Sequence, residues 1–333
     1  MHCELCGGVT EYVPGGEGMR CPYCQDFQPL VVTGPVARRP VEALRGRLPV
    51  TVTDEHRVVC PRCATTSTPA LLSSRCPACE TPIVRELGGE VRPGALVPFA
   101  VDRRGASAAL DGWAASLWFA PGSLARVSDT ASTRATFLPA WVFDLETVTR
   151  YRGRRGDHHY RIETDGDGRR RQVRRTRWTY ARGTVGRRFA DVVVPGVRHL
   201  ETARLPAATV PFRAEYLSGV ETARYTVAPD QALDQAKTAV RPRVRAACLA
   251  DIGGDDRRLH SVVTTYPSID GDLVLLPYWT GTYLLDGRTW RFTVDGVTGE
   301  VRGERPYSAA KLTVPVAVLV LVVVAALLVL LSR

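Results

Sequence analysis

The sequence predicts an α+β protein in which two N-terminal zinc ribbons precede an internally duplicated helix plus antiparallel-sheet domain and one transmembrane helix. Three features predict this class: four cysteine pairs near the N-terminus, two short motifs that each occur twice, and a long uncharged segment at the end. The predicted divisions are zinc ribbon 1 at 1–30, a proline-containing linker at 31–56, zinc ribbon 2 at 57–87, α+β halves at 95–200 (with an arginine-rich β-meander) and 201–310, and the transmembrane helix at 311–331.

The first element follows from cysteine spacing. Eight of the nine cysteines form four Cys-x-x-Cys pairs, and the gaps within the two tandem sets are 14 and 12 residues. Each pair directs two thiolates towards one point, so two pairs supply the four sulfurs of a closed, tetrahedral structural zinc site. We therefore expect two structural zinc ions, and the predicted ligands are Cys3, Cys6, Cys21, Cys24, Cys60, Cys63, Cys76 and Cys79.

Other roles for these cysteines agree less well with the sequence. Disulfides are typical of secreted chains, and residues 1–30 contain no apolar signal-peptide segment. A redox Cys-x-x-Cys motif occurs singly beside a βαβ pattern, not four times in succession. Pairing within each tandem set is favoured, but the spacing leaves open a cross-braced arrangement in which the first pair shares a metal with the third.

The second element is an internal repeat. Val97-Pro98-Phe99 recurs as Val210-Pro211-Phe212, and Leu138-Pro139-Ala140-Trp141 recurs as Leu276-Pro277-Tyr278-Trp279. Each half is expected to contain a helix between its two motifs and an alternating strand after the second motif. The repeat therefore predicts two similar halves.

A helix is predicted between the two motifs of each half. The first spans about 107–118, with Ser107 as its N-cap. The second spans about 229–250, with Pro229 in its first turn. We expect Pro242 to kink or divide this helix, because proline removes a backbone hydrogen bond.

After each Leu-Pro-x-Trp motif the hydrophobic period becomes two, as in a half-buried strand. Residues 141–194 and 273–302 are therefore predicted to form two antiparallel meanders. Their turns are predicted at Asp165-Gly-Asp-Gly168, Asp286-Gly287 and Asp295-Gly296. No helix–strand alternation of the Rossmann type occurs, which supports the α+β class.

The last element is an apolar segment. Residues 312–331 form a run of 20 residues without a charge, which as a helix spans a bilayer core. A buried core helix is the alternative, but a terminal helix that is apolar all round and has charged flanks is rarely part of a soluble core. The arginine-rich side and the reduced thiolates both predict a cytoplasmic N-terminal bulk. We therefore expect a single-pass, tail-anchored protein of the cell inner (cytoplasmic) membrane.

Positive charge is concentrated in one segment. The chain has 44 basic and 34 acidic side chains, and residues 150–188 alone carry a net charge of +10. Of the basic residues, 42 are arginine, which a GC-rich genome would also produce. The position of the arginines in the chain is therefore more informative than the choice of arginine over lysine. The candidate anion-binding residues are Arg169, Arg170, Arg171, Arg174, Arg175, Arg177, Trp178 and Tyr180.

Strand alternation places Arg175 and Arg177 on one face and Trp178 and Tyr180 on the other. Four interpretations of this segment remain: contact with anionic lipid headgroups, an acidic protein partner, nucleic acid, or a merely solvated strand surface.

No motif typical of catalysis is present. The sequence lacks a Gly-x-x-x-x-Gly-Lys loop, a Gly-x-Ser-x-Gly elbow and a His-Glu-x-x-His motif. The acidic run at 251–256 lacks EF-hand spacing and is predicted to be the loop that ends the second helix. Cys248 is predicted to be a buried structural thiol. We expect no enzymatic activity, although an active site assembled only in three dimensions is an alternative.

Several segments resemble a family of bacterial membrane proteins labelled TFIIB-type zinc-ribbon proteins, which includes YdjG-like members. These segments are Leu276–Trp279, Tyr283–Trp290, Val294–Glu300, Gly303–Ser308, Phe212–Gly219 and Thr176–Trp178. The resemblance implies a membrane-tethered cytoplasmic adaptor, of a kind found near SPFH or phage-shock-type membrane-stress proteins. Two cysteine quartets and a single C-terminal span are departures from the family pattern.

We accordingly expect a membrane-anchored cytoplasmic zinc-ribbon adaptor that recruits protein partners at the inner membrane surface. The alternative is a membrane-tethered nucleic-acid-binding zinc-ribbon protein. Membrane contact is expected through residues 312–331, with anionic lipid headgroups as a second contact. Nucleic acid is the less favoured partner, because zinc ribbons also serve widely as protein adaptors.

Overall fold

Three sheets and two α-helices form the part of the chain that the computed structural model describes. This part comprises residues 2–16, 18–30, 32, 34–46, 58–60, 62–67, 71–84, 91–117, 127–129, 131–164, 166, 170–197, 205, 208–285, 287–304, 324 and 328. The α+β class is confirmed. No helix within these ranges is long and apolar enough to cross a membrane. The predicted span at 312–331 lies outside them, apart from Val324 and Leu328.

The strands and helices are short near the N-terminus and much longer after residue 100. The strands are β1 (Glu11–Tyr12), β2 (Gly18–Arg20), β3 (Phe27–Pro29), β4 (Arg39–Pro40), β5 (Val58–Val59), β6 (Thr66–Ser67), β7 (Ser73–Arg75), β8 (Pro82–Val84), β9 (Ala95–Leu96), β10 (Ser132–Thr164), β11 (Arg170–Pro195), β12 (Val210–Pro211), β13 (Glu221–Thr222), β14 (Asp256–Thr265), β15 (Ile269–Leu285), β16 (Arg288–Asp295) and β17 (Val301–Gly303). The α-helices are α1 (Arg103–Ser116) and α2 (Pro229–Ile252), and 3-10 turns occupy Val41–Ala43 and Ala214–Leu217.

Strands β10 and β15 form the centre of the largest sheet, where they pair in antiparallel register. β11 folds back and pairs antiparallel with β10. β14 also pairs antiparallel with β10, along the segment that follows the one paired with β15. β16 and β17 extend β15 on its other side. The antiparallel strands predicted at 141–194 and 273–302 are therefore confirmed, although the first segment forms a two-stranded hairpin and not a longer meander. Of the predicted turn at 165–168, only Gly166 lies within the described residues.

One face of β10 forms much of the core. Its odd-numbered side chains from Trp141 to Tyr151 are all buried, as the period of two predicted. Helix α2 packs on this face and on β11 through a stripe of buried side chains. The stripe consists of Ala232, Leu233, Ala236, Val240, Val244, Cys248 and Ile252. The predicted burial of Cys248 is confirmed, and this burial raises the pKa of its thiol.

The predicted helices differ from the observed ones at particular positions. Helix α1 begins at Arg103, and Asp102 is its N-cap, because the Asp102 carboxylate accepts a 2.7 Å hydrogen bond from the amide of Gly105. The prediction of Ser107 as the N-cap is therefore wrong. Helix α2 begins at Pro229 as predicted, but it runs through Pro242 without division. Pro242 is exposed on the side opposite the buried stripe, where the carbonyl that loses its partner is open to water.

The two Leu-Pro-x-Trp motifs meet at their first residues, where Leu138 of β10 pairs with Leu276 of β15. The indole nitrogen of Trp141 donates to the carbonyl of Val227, and that of Trp279 donates to the carbonyl of Val101, both at 2.9 Å. Each acceptor lies two residues before the first residue of a helix. Each tryptophan therefore binds the segment that leads into the helix of the other half, so the halves exchange their helices.

The Val-Pro-Phe segments are not equivalent in the structure. Phe99 packs edge-on against Trp279 with ring centroids 5.5 Å apart, and Tyr225 packs in the same way against Trp141 at 5.2 Å. β9 and β13 each pair in parallel with a central strand just before these rings. By contrast, β12 pairs antiparallel with β9. The predicted correspondence of 97–99 with 210–212 is therefore wrong, and Ala223–Tyr225 takes the equivalent place.

Part of the predicted linker is integrated into the body. β4 pairs with β15, and Leu44 is completely buried in the core under α2. Arg39 donates to the carboxylate of Asp272, which is itself almost fully buried. Residues 34–46 are thus a structural segment of the body, and residues 47–57 lie outside the described ranges.

Candidate metal centres

All four Cys-x-x-Cys pairs fold into the same backbone turn. The amide of the first cysteine donates to the carbonyl five residues later, and its carbonyl accepts from the amide four residues later. The residue at that fourth position has a positive φ in each turn: Gly7 (71°), Gln25 (64°), Ala64 (58°) and Glu80 (58°). Three of these residues are not glycine, so the turns hold strained backbone of the kind found at ligand-binding positions.

The four sulfurs of each tandem set converge. In both sets, all four Sγ atoms lie within 4.8 Å of one another. The shortest separations are Cys3–Cys24 and Cys6–Cys21 at 3.4 Å, and Cys60–Cys79 and Cys63–Cys76 at 3.6 Å. A tetrahedron of thiolates about 2.3 Å from a zinc ion has edges of about 3.8 Å, so both clusters fit this metal. Pairing within each tandem set is confirmed, and the cross-braced arrangement is excluded.

The protonation of these thiols favours a bound cation. Backbone amides of its own turn lower the pKa of Cys21 to about 7, and the hydroxyl of Thr65 lowers the pKa of Cys63 to about 6. Cys76 also receives an amide hydrogen bond, but burial and the neighbouring sulfurs raise its pKa to about 11. Four thiolates in one cluster therefore require a positive charge between them, and metal binding would release protons.

Both clusters are closed sites. Each is composed of four cysteines, of which the first member of every pair is buried. Four protein ligands complete a tetrahedral zinc site and leave no position for a reactive water. Across the described ranges, no further group of three or more metal-ligating side chains converges on one point. The geometry therefore supports two structural metal sites.

The first ribbon is packed into the body. Tyr12 and Met19 are buried in the same core cluster as Phe99 and Tyr216. The amide of Tyr12 donates to the carbonyl of Ser218 at 2.9 Å, and the hydroxyl of Tyr12 accepts from the amide of Phe99 at 3.2 Å. Order in the first metal cluster and order in the body are therefore coupled.

The second ribbon is attached at the edge of the large sheet, in part through buried hydrogen bonds of Ser73. Its first hairpin forms a separate two-stranded sheet, whereas β7 joins the large sheet through the pairing of Ser73 with Thr222. Arg75 makes two hydrogen bonds to the carboxylate of Glu11, at 2.6 and 3.0 Å. The buried apolar cluster of the second ribbon consists of two cysteines and Ile83 and is separate from the main core.

The candidate anion-binding residues are divided between two faces of the β10–β11 hairpin. Arg170, Arg174, Trp178 and Tyr180 lie on one face, and Arg171, Arg175 and Arg177 lie on the other, as the pairing register requires. Arg169 lies outside the described residues. Arg175 is paired with Glu163 at 2.8 Å. The eight residues therefore do not form one site.

Sequence reasoning missed arginines that share the face of Trp178 and Tyr180. These are Arg150, Arg152 and Arg154 on β10, Arg182 on β11 and Arg258 on β14. The alternation of arginine at positions 150, 152 and 154 would have indicated a single face of one strand. Arg258 lacks any such signal, because only the pairing of β14 with β10 brings it to this face.

The acidic run after α2 has structural partners. Asp251 accepts a 2.6 Å hydrogen bond from the hydroxyl of Tyr151, and Asp256 lies 2.8 Å from the imidazole of His158. Asp255 accepts from the backbone amide of His158 at 2.7 Å. These contacts fasten the end of α2 and the start of β14 to β10. The loop predicted at 251–256 is shorter in the structure, because only residues 253–255 lie between α2 and β14.

No protein-family model matches the chain, and neither a curated protein nor a solved structure gives a match. The resemblance to TFIIB-type zinc-ribbon proteins therefore stays a prediction.

Proposed function

We propose that this chain is a zinc-stabilised, membrane-anchored adaptor whose ribbons recruit protein partners at the inner membrane surface. The observation that carries the proposal is the exposure of apolar side chains on the ribbons. Leu5 is 76 %, Tyr23 54 % and Val59 60 % exposed. Apolar side chains held at fixed positions on a rigid surface are suited to a protein interface.

The two ribbons also lie against each other. The guanidinium of Arg62 donates to the hydroxyl of Tyr23 at 2.7 Å and lies 5.3 Å from the centre of its ring. This contact brings the turn of the second ribbon beside the turn of the first. A partner could therefore contact both ribbons at once, and the closed metal sites would contribute rigidity without chemistry.

Site-specific photocrosslinking tests the adaptor proposal. A photoreactive amino acid at Leu5 or Val59 should give discrete adducts of the full chain in native membranes. The same amino acid at Gln235, an exposed position on α2, is the matched control and should not give them. Equal adduct patterns at the ribbon and control positions would contradict recruitment by the ribbons.

The membrane anchor is proposed from residues 312–331 and is tested separately. The full chain should remain in the membrane pellet after alkaline extraction, and a variant that lacks residues 312–331 should move to the supernatant. Elemental analysis of the purified chain should give two zinc ions per polypeptide. Retention of the shortened variant in the pellet would show that another part of the protein binds the membrane.

A further inference from the structure

The outward face of the three-stranded region β14–β10–β11 carries a dense group of arginines. We call it the arginine face; it comprises Arg150, Arg152, Arg154, Arg174, Trp178, Tyr180, Arg182 and Arg258. Successive residues of a strand point to opposite sides, so these side chains lie on the side away from α2. The same segment thus buries an apolar face under a helix and exposes a basic one.

The charge of this face lacks nearby compensation. Among the residues that the structure describes, no carboxylate lies in ion-pair range of Arg150, Arg152 or Arg182. The nearby carboxylate of Asp256 is engaged by His158. On the opposite face, Arg175 is paired with Glu163 and Arg155 is paired with Asp157. An uncompensated group of like charges raises the local concentration of anions.

Aromatic rings hold two of the guanidinium groups in place. Arg258 lies over Trp178 at 4.3 Å from the ring centre, and Arg154 lies over Tyr180 at 4.9 Å. A stacked guanidinium keeps its N–H donors at the edge, where they remain available to phosphate oxygens. Tyr180 is nevertheless 86 % exposed, which leaves ring surface for a further flat group.

The shape of this face favours a chain over a flat surface. Arg150, Arg152 and Arg182 line a shallow groove of about 640 Å³. Its other lining residues include Thr184, Ser261 and Val263. A strand of linked phosphates can lie in such a groove, whereas a planar bilayer surface contacts only its rim.

The groove is also distant from the point at which the chain leads into the apolar segment. Glu304 contacts Arg291, which is level with Ser132 through the pairing of β16, β15 and β10. From Ser132 to Arg150 the distance along β10 is about 60 Å at roughly 3.3 Å per residue. This exceeds the Debye length of about 8 Å many times, so charges close to Glu304 do not attract or repel ligands at this face.

We infer that the arginine face binds single-stranded nucleic acid, with the arginines on phosphates and Tyr180 as a stacking surface for a base. Proteins that bind single strands without sequence preference combine a positively charged groove with aromatic side chains on which bases stack. This inference is independent of the recruitment of proteins by the ribbons, which lie at other positions of the fold.

The test is fluorescence anisotropy of labelled, mixed-sequence single-stranded DNA and RNA with the full chain in neutral detergent, over a series of salt concentrations. One variant carries Arg150→Gln, Arg152→Gln and Arg182→Gln. The matched control carries Arg161→Gln, Arg171→Gln and Arg177→Gln, which remove the same charge from the opposite face. A third variant, Tyr180→Leu, removes the stacking surface. Vesicles of phosphatidylglycerol and of phosphatidylcholine are tested in parallel.

We expect the triple variant of the arginine face to bind at least roughly tenfold more weakly and to lower the salt slope by about 2, since each phosphate contact contributes about 0.7. Tyr180→Leu should weaken binding by roughly tenfold with an unchanged salt slope. The control should retain most of the affinity. Equal losses in both triple variants would overturn the inference, as would absence of oligonucleotide binding. Binding to phosphatidylglycerol vesicles alone would assign the face to lipid and would overturn it as well.

Discussion

The two metal clusters are predicted to contribute unequally to the stability of the body. The first ribbon places Tyr12 and Met19 in the main core, whereas the second has a small buried cluster of its own. Replacement of Cys3 and Cys6 by serine removes two ligands from the first site, and replacement of Cys60 and Cys63 removes two from the second. Each double variant should bind one zinc ion, but only the first should destabilise the core.

The magnitude follows from burial. Tyr12 is 4 % exposed and Met19 is fully buried. If the first ribbon loses its order, both side chains leave the core, at a cost of about 1.5–3 kcal/mol for each large apolar side chain. The expected loss is therefore about 3–6 kcal/mol, a large fraction of the 5–15 kcal/mol typical of a domain. The second double variant leaves these contacts in place.

Urea unfolding of the full chain in neutral detergent measures the difference, with the buried Trp141 and Trp279 as intrinsic fluorescence probes. Elemental analysis establishes that each variant has lost one metal. The midpoint should fall clearly for Cys3→Ser/Cys6→Ser and little for Cys60→Ser/Cys63→Ser. Equal shifts in the two variants would refute the coupling between the first cluster and the core.

Two further predictions concern the body. The Trp141→Phe and Trp279→Phe substitutions each leave a partly buried carbonyl without its indole donor and should each reduce the free energy of unfolding by about 1 kcal/mol in urea titrations. A much smaller loss in one of them would contradict the equivalence of the two sites. Burial, and then the hydrogen bond to Asp251, raise the pKa of Tyr151 to about 12 from 10.0. Its stabilising contribution is fully present below pH 10 and is lost as the pH rises through about 12. The free energy of unfolding of Tyr151→Phe should therefore fall less steeply as the pH rises through the alkaline range. An unchanged alkaline unfolding profile would show that another group controls this pH dependence.

The metal clusters could be predicted from the sequence because their determinants are local. Two cysteines separated by two residues must converge in a tight turn, and a gap of 12 or 14 residues suits a short hairpin. The strands after Trp141 and Trp279 were predictable for a similar reason, since a period of two directly reflects one buried face. The partner of each cluster in the body was not predictable, because Tyr12 has no feature that distinguishes a core residue from an exposed one.

Long-range arrangement limited the remaining predictions. A short tripeptide such as Val-Pro-Phe recurs without a structural reason, and only strand pairing shows that Tyr225 is the counterpart of Phe99. Helix α1 was predicted to begin late because its first turn, Arg103 to Gly105, has no apolar residue. The division of the arginines between two faces followed from alternation, whereas Arg258 reached its place through pairing of strands about 100 residues apart.

Because α1 and α2 each pack on the other half, the order of synthesis limits how the polypeptide can fold on the ribosome. The hairpin that contains Trp141 lacks its covering helix α2 until Ile252 has been synthesised. Helix α1 likewise cannot pack against β16 until Arg288–Asp295 has been synthesised. Contacts that join such remote positions slow folding. Neither half can complete its fold without the helix of the other half. A protein that consisted of one half would therefore need the helix of a second molecule, as in a domain-swapped homodimer.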